Sequence, residues 1–439
     1  MFRYYLLLGL RSLRRNPVLT GLMILTLAIG VAASVSTITI LHVMSGDPIP
    51  HKSARLISPL LDVGPLKTYV PGLKEPYHIQ MTYRDTMAFL ASGQGARRTA
   101  VLDVAGQVEP TRPDMPVVQV SGAAVTSDFF TMFDVPFKHG AAWSAADDKA
   151  NAQVAILSKL KSEAIFGKDN PVGKRFRLWN REFQVVGVLE PWEPVPRFTH
   201  LLNGNGGRFN GEDEIFVPFS TAITAEQSSA GNTSCSGDSG VGYKGFLESE
   251  CTWIQFWFEL ASASDRPALK NYVDSYVAEQ RRLGRFPRPS GGRIFNVMEW
   301  LDFNDVVNND NKVAVWLSLG FLLLCMVNTM GLLLAKFSAR SAEVGVRRAL
   351  GATRGAIFRQ FLVETGVIGL AGGVLGLVLS VLALWAIRQQ SKDLSVVANM
   401  DWQMLAFTFA IAVGASLFAG LLPTWRSSHV TPAAQLKSQ

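Results

Sequence analysis

The chain has 439 residues, 48% of them hydrophobic and 18% charged, with a formal net charge of +7 and a pI near 9.3. A basic pI would suggest a nucleic-acid partner, but much of the positive charge borders four long stretches without Asp, Glu, Lys or Arg. We therefore assign the charge to membrane topology and expect no nucleic-acid partner.

The N-terminal region predicts a membrane anchor. Residues 1–16 place apolar side chains at helical spacing opposite arginines, which predicts a cytoplasmic helix lying in the membrane interface. Residues 17–44 form the first uncharged stretch and predict the first transmembrane helix. This run is too long for a signal peptide and no clear cleavage site follows it, so we expect a retained anchor.

Residues 45–312 predict a large water-exposed α+β domain between the first and second transmembrane helices. Segments rich in β-branched and aromatic residues predict strands at residues 117–121, 153–157, 183–188, 215–218 and 254–258. Helices are predicted around residues 81–91, 127–133, 159–166 and 268–283.

Two parts of this domain have a distinct composition. Residues 198–251 are rich in Gly, Ser and Asn, which indicates an insertion or a long mobile excursion. Residues 299–312 are acidic and amphipathic, and they predict a helical stalk that continues the second span outward.

The cysteines divide by location. Cys235 and Cys251 fall in the exterior domain, whereas Cys325 falls in the second span, where we expect a packing role. An oxidising compartment favours a Cys235–Cys251 disulfide over two unpaired thiols. Closing a loop of about 15 residues would stabilise the fold by roughly 3 kcal/mol.

The remaining uncharged stretches predict three more transmembrane helices, at residues 313–335, 365–387 and 402–425. Residues 388–401 would form a short periplasmic loop and residues 426–439 a cytoplasmic tail. Each stretch exceeds the ~30 Å hydrocarbon core of a bilayer at ~1.5 Å per residue. No ionisable residue lies near the centre of a span, which disfavours an ion-coupled carrier.

Glycine spacing indicates how the spans pack. The third span contains small-residue motifs four residues apart, formed by Gly369, Gly372, Gly373 and Gly376. Such spacing lets helix backbones approach closely in lipid. The alternative is the ordinary background of glycine in membrane helices.

Charge sets the orientation. Residues 1–16, 336–364 and 426–439 carry twelve Lys or Arg and two acidic residues, a net +10, which leaves −3 on the opposite side of the membrane. Short basic segments stay in the cytoplasm. Both termini and residues 336–364 are therefore expected inside, and residues 45–312 outside.

No catalytic chemistry emerges from the motifs. The chain lacks a G-x-x-x-x-G-K-[ST] phosphate-binding loop, and its six histidines show neither H-x-x-x-H spacing nor Cys/His clustering. We expect no catalytic residue, no directly bound cofactor and no metal site.

The loop at residues 336–364 predicts a coupling site. Arg340, Glu343, Arg347 and Arg348 lie at helical spacing on one polar face, and Gly351 ends that helix. A second helix is predicted over residues 357–364. The alternative is a solvated loop that binds lipid headgroups, but that would not explain Glu343 or two helices divided by glycine.

The string R-x-x-E-x-G-x-x-R-A-L-G-A at Arg340 resembles the permease domain shared by FtsX and the MacB-type exporters, as does the P-x-x-R signature from Pro423. The exterior domain resembles the MacB-type periplasmic domain in strings at residues 120–135, 154–158, 165–167, 171–174 and 183–189. Residues 198–251 contain none of these family strings. The MacB prototype carries a fused ATPase, whereas Met1 here directly precedes the first span, so the resemblance implies a separate ATPase subunit.

The resemblance implies a mechanical role in a bacterial inner membrane. Two permease chains, as a homodimer or related heterodimer, would pair beside ABC ATPase subunits that bind ATP and Mg²⁺. Closure inside would move the periplasmic domains and expel a peptide, antibiotic or similar substrate. A membrane fusion protein and an outer-membrane channel would complete the assembly. A lipoprotein-extracting permease and an FtsX-like regulator of a cell-wall hydrolase are the alternatives.

Overall fold

A computed structural model describes residues 16–71, 79–109, 117–201, 209, 211–307, 309–390 and 402–428. The interfacial helix predicted at the N-terminus, most of the loop at 388–401 and most of the C-terminal tail lie outside these residues. The chain divides into two compact units. We call Gly46–Val306 the inserted unit and the remainder the helical unit.

The α-helices are, in chain order, α1 (Pro17–Ser45), α2 (Tyr83–Ala91), α3 (Asp128–Met132), α4 (Ala145–Lys149), α5 (Lys159–Phe166), α6 (Phe219–Thr224), α7 (Gly242–Glu248), α8 (Arg266–Arg282), α9 (Val297–Phe303), α10 (Asn309–Ser338), α11 (Ser341–Ala349), α12 (Arg354–Gln390) and α13 (Trp402–Ser428). The strands are β1 (Leu56–Leu60), β2 (Met81–Thr82), β3 (Arg97–Val108), β4 (Val118–Val125), β5 (Phe137–Gly140), β6 (Val154–Leu157), β7 (Arg175–Leu178), β8 (Arg181–Leu189), β9 (Ile215–Pro218), β10 (Ser234–Cys235), β11 (Cys251–Glu259) and β12 (Arg293–Asn296).

Four helices of the helical unit, α1, α10, α12 and α13, are long and apolar enough to cross a bilayer. This confirms the predicted plan of four spans around an inserted α+β domain. Residues 357–364 are helical as predicted, but they do not form a helix separate from the third span. They are the first turns of α12, which continues from Arg354 to Gln390. No proline interrupts this stretch, so the helical hydrogen bonds run on into the span.

Glycine lets α12 approach its neighbours closely. A Cβ atom at Gly369 would overlap Ser416 of α13, and one at Gly372 would lie 3.0 Å from the Leu27 side chain of α1. One more turn along, a Cβ at Gly376 would lie 3.1 Å from Val31. Gly373 is buried as well. Gly369, Gly372 and Gly376 therefore face helices within the same chain.

The inserted unit is built on a sheet of order β12-β1-β11-β3-β4-β9-β6-β8-β5, with β2, β7 and β10 paired at its margins. All nine residues of the central strand β11 are buried. Because alternate side chains point to opposite faces of a strand, Phe256 and Phe258 enter one hydrophobic core and Trp257 enters the other. The sheet therefore has a packed core on both faces.

The five predicted strands overlap β4, β6, β8, β9 and β11, and the four predicted helices overlap α2, α3, α5 and α8. The expectation of an insertion or mobile excursion over residues 198–251 is wrong for the described part. That part contains β9, α6, β10 and α7, and Ile215, Phe216 and Val217 are fully buried in the cores.

The continuous stalk predicted over residues 299–312 is also wrong. Helix α9 ends at Phe303, and α10 begins only at Asn309. Val297, Trp300 and Leu301 are buried in a core of the inserted unit, which fixes α9 to that unit. Asp305 has a φ of 47°, a left-handed conformation that interrupts a helix.

Candidate functional site

A buried ionic cluster joins three helices at one end of the helical unit. The Lys336 ammonium lies 2.8 Å from the Glu364 carboxylate, and the Arg340 guanidinium lies 3.0 Å from the other oxygen of that carboxylate. Lys336 also donates to the Thr20 hydroxyl of α1 over 3.3 Å. Lys336 and Glu364 are almost fully buried, so each charge depends on its partner. The cluster ties the end of α10 to α12 and α1.

Helix α11 packs its inner face onto the same region. Val344 is buried in a hydrophobic cluster with Phe337, Ile357 and Phe361. The Phe337 and Phe361 rings stack with centroids 4.3 Å apart. On its flank, Arg347 donates to Glu343 over 2.6 Å and to Gln360 of α12 over 3.0 Å. A displacement of α11 would therefore act directly on α10 and α12.

The end of α11 is set by glycine. Gly351 has a φ of 95°, and the amides of Gly351 and Ala352 donate to the carbonyls of Arg348 and Arg347 over 3.1 and 3.0 Å. A left-handed glycine with these bonds is a common helix C-terminus. The Thr353 hydroxyl then accepts from the Ala356 amide and caps α12. The turn fixes the direction of α11 relative to α12.

The outer face of α11 is more apolar than the sequence suggested. Val346 is 61% exposed and Leu350 is 83% exposed. Arg340, expected on a docking face, is instead mostly buried against Glu364. Glu343 and Arg347 remain partly exposed as a pair, and Arg348 is partly buried. The available surface is thus an apolar strip beside one ion pair.

Sequence reasoning missed the ionic cluster and the apolar strip. Lys336 and Glu364 are far apart in sequence, and only the packing of α10 against α12 brings them together. The available signal was an acidic residue at the edge of an otherwise apolar span, which requires a partner in a low-dielectric environment. The sequence signal for the strip was the pair Val346 and Leu350, two apolar residues four positions apart on a helix rich in charged residues.

A second predicted feature lies in the inserted unit. The structure joins Cys235 and Cys251 by a disulfide that links β10 to β11. Cys251 is buried next to Glu250, which bonds Arg285 over 2.8 Å. Arg285 also pairs with the fully buried Asp85 of α2 over 2.8 Å. The bridge therefore sits beside an ionic network that holds α2 to the segment after α8.

An α+β unit inserted between the first two of four membrane-crossing helices, with a short amphipathic helix between the second and third, defines a multi-pass membrane protein with a large extramembranous domain. The MacB-like periplasmic core domain family matches residues 20–276, and the FtsX-like permease C-terminal family matches residues 315–432. The chain belongs to the MacB/FtsX-like permease family, as the sequence motifs predicted. The inserted unit is accordingly its periplasmic domain.

Relatives align along almost the whole chain. The macrolide export ATP-binding/permease protein MacB of Bdellovibrio bacteriovorus is 23% identical over 98% of this chain and 61% of its own length. The protein of the same name from an Azoarcus species is 24% identical over 98% of this chain and 59% of its own length. The chain therefore spans less than two thirds of the length of these relatives.

Solved structures with similarity to this chain are extramembranous domains. The periplasmic region of MacB from Actinobacillus actinomycetemcomitans gives a TM-score of 0.36 at 15% identity, covering 60% of this chain and 96% of that one. The extracellular domain of the noncanonic ABC-type transporter YknZ gives a TM-score of 0.35 at 14% identity, covering 55% of this chain and all of that one.

Proposed function

We propose that this chain is the permease subunit of an ABC-type transporter that works by mechanotransmission. An ABC ATPase on a separate chain binds ATP and Mg²⁺ and docks on the outer face of α11. The observation that supports this docking is the exposure of Val346 and Leu350, on a helix whose opposite face is packed onto α10 and α12. Apolar side chains exposed to water at the end of a short helix are typical of a protein interface.

The ionic cluster supplies the path for the motion. Lys336 near the end of α10 and Arg340 at the start of α11 share Glu364 of α12, so these helices move together when α11 is displaced. Helix α1 leads into the inserted unit and the chain returns from that unit into α10. A tilt of either helix therefore pulls on one of the two connections to the periplasmic domain.

The proposal extends to the rest of the assembly, and membership of the family supports it. Two permease chains pair in the inner membrane, and their periplasmic domains expel a peptide, antibiotic or similar substrate into a membrane fusion protein and an outer-membrane channel. The inserted unit, Gly46–Val306, is large, which favours this role over that of an FtsX-like regulator. A native pull-down distinguishes export from lipoprotein extraction, since a fusion protein marks the first and a bound lipoprotein the second.

The docking proposal can be tested with a matched pair of variants. Leu350 and Leu283 both cap a helix C-terminus, are strongly exposed and precede a glycine with positive φ, but Leu283 lies in the inserted unit. We expect Leu350→Asp to abolish co-purification of the ABC ATPase, because a carboxylate replaces an apolar contact. Leu283→Asp should leave it unchanged.

A charge variant tests the ion pair on the same surface. Glu343→Lys places two cations four residues apart on α11 and reverses the charge offered to the ATPase. In reconstituted membranes it should uncouple ATP hydrolysis from transport. Normal ATPase recruitment by Leu350→Asp, together with unchanged ATPase stimulation by Glu343→Lys, would refute this docking surface.

A further inference from the structure

A cleft of about 490 Å³ lies within the inserted unit, far in sequence from α11. Its two walls are α2 and α6, and its floor is formed by the turn after β4 and by α4. Pockets for small molecules in proteins commonly enclose ~300–1,000 Å³. The cleft thus has the size of a ligand site, and neither the coupling surface nor the ionic cluster uses it.

The walls of the cleft are apolar. Tyr83, Met87 and Leu90 lie on one face of α2, and Phe219 and Ile223 lie one turn apart on α6. The Tyr83 and Phe219 rings stack with centroids 6.4 Å apart, so the two walls meet at that end. Burial raises the pKa of the Tyr83 hydroxyl above its ordinary value. Met87 is 41% exposed and lines the cleft.

The floor carries charged groups of both signs. They are Arg98, Asp128, Asp148 and Lys149. Among the residues that the structure describes, the Arg98 guanidinium makes no ion pair and donates one hydrogen bond, to the Gln94 carbonyl over 2.9 Å. The Asp128 carboxylate accepts from the Arg98 backbone amide over 3.2 Å. Most of the Arg98 donors thus remain available to a ligand.

Asp148 is held in place at the same floor. One carboxylate oxygen accepts from the Ser127 amide over 2.7 Å and the other from the Trp143 indole over 2.8 Å. Burial raises the pKa of Asp148, and the charge of Asp128 adds to this effect. Each oxygen keeps a second lone pair for a further donor. A cationic group placed between Asp128 and Asp148 would offset both the burial of Asp148 and its repulsion by the Asp128 charge.

We propose that this cleft binds a zwitterionic amphiphile, a molecule whose amine and carboxylate lie beside a bulky apolar group, as in an apolar dipeptide. Its apolar group lies between α2 and α6. Its carboxylate binds Arg98 and its amine binds Asp128 and Asp148. The floor has two positive and two negative groups. A ligand with a net charge of either sign therefore gains less binding free energy than a ligand that carries both charges.

The test is calorimetric titration of the full chain in lipid nanodiscs with the dipeptide Phe-Leu, in the absence of ATP. We expect saturable binding to one site per chain. Met87→Glu and Arg98→Gln should each weaken it at least about tenfold, as expected for a charge repelled from an apolar wall and for a lost charge-assisted hydrogen bond. Met298 is similarly exposed, at 37%, and lies outside the cleft, so Met298→Glu is the matched control.

A second ligand tests the charge requirement. Phe-Leu blocked by an acetyl group and an amide keeps its apolar side chains but loses both charges, and it should bind at least about tenfold more weakly. The proposal is overturned by an absence of saturable binding, by equal binding of the blocked dipeptide, or by binding that Met87→Glu and Arg98→Gln leave unchanged. The titration needs no ATPase, so its failure would not affect the proposed coupling function.

Discussion

Replacing Gly369 with Ala should destabilise the helical unit. An added Cβ would overlap both the hydroxyl and the Cβ of Ser416, so rotation of the serine alone cannot relieve the contact. The Ser416 hydroxyl is also held by a 2.8 Å hydrogen bond to the Val413 carbonyl. The helices α12 and α13 must therefore separate. Overpacking of this kind costs about 1–3 kcal/mol, more than the ~1 kcal/mol that Ala gains over Gly in helix propensity.

The same helix supplies the control. A Cβ at Gly366, one turn earlier, would have no neighbour within 4 Å, so Gly366→Ala keeps the gain in propensity without the overlap. The facing helix offers a second matched pair. A Cβ at Gly420 would overlap Thr365, whereas one at Gly414 would meet nothing within 4 Å. In each pair, the alanine variant whose Cβ overlaps the facing helix should be less stable than the variant whose Cβ meets nothing.

The measurement is unfolding in mixed micelles of increasing SDS content, followed by far-UV circular dichroism. Gly369→Ala should unfold with a free energy about 1–3 kcal/mol below that of Gly366→Ala, and Gly420→Ala should fall below Gly414→Ala. Equal stability within each pair would refute the close packing of α12 against α13.

Three further predictions concern other parts of the chain. Peptide mapping of unreduced protein should find Cys235 joined to Cys251, and Cys235→Ser should cost roughly 3 kcal/mol of unfolding free energy; two freely alkylated thiols would contradict this. Burial raises the pKa of Glu212 to about 7, from 4.5, with a further contribution from the charge of Glu193. The protonated carboxyl is thus favoured in the fold, and stability is lost as pH rises from about 4.5 to 7. Because the Glu212 carboxyl is partly exposed, Glu212→Gln should raise the free energy of unfolding above that of the wild type by only about 1–2 kcal/mol at pH 8, and not at pH 4.5. A stability difference in thermal unfolding that does not change with pH would disprove the assignment. Glu364→Gln removes the carboxylate that Lys336 and Arg340 share, and it should lower the free energy of unfolding by about 3–5 kcal/mol. Glu343→Gln, in a more exposed pair, should lower it by under about 1 kcal/mol. Equal effects of the two variants on thermal unfolding would argue against a buried cluster.

The regular parts of this fold could be predicted because local patterns determine them. Four uncharged stretches match α1, α10, α12 and α13, and the aromatic run at residues 254–258 lies within β11. Cys235 and Cys251 could be paired from their location alone. These features need no knowledge of distant contacts.

Features that depend on tertiary contacts could not be predicted. The amphipathic pattern of residues 299–312 continues through Asp305, so the break appears only when Trp300 packs into a core of the inserted unit. Arg340 lies on the polar face of its helix in sequence, but Glu364 draws it inward. A charge pattern cannot distinguish an internal partner from an external one.

Transmission of motion from α11 to the inserted unit is tested most directly by a distance measurement that needs no known substrate. Leu160 is 69% exposed on α5, and a spin label at Leu160→Cys reports the separation of the inserted units in a paired complex. In pulsed electron paramagnetic resonance, ATP should shift the distance between the two labels in the wild-type background and with Leu283→Asp, but not with Leu350→Asp. An unchanged distance in a complex that hydrolyses ATP normally would contradict mechanotransmission.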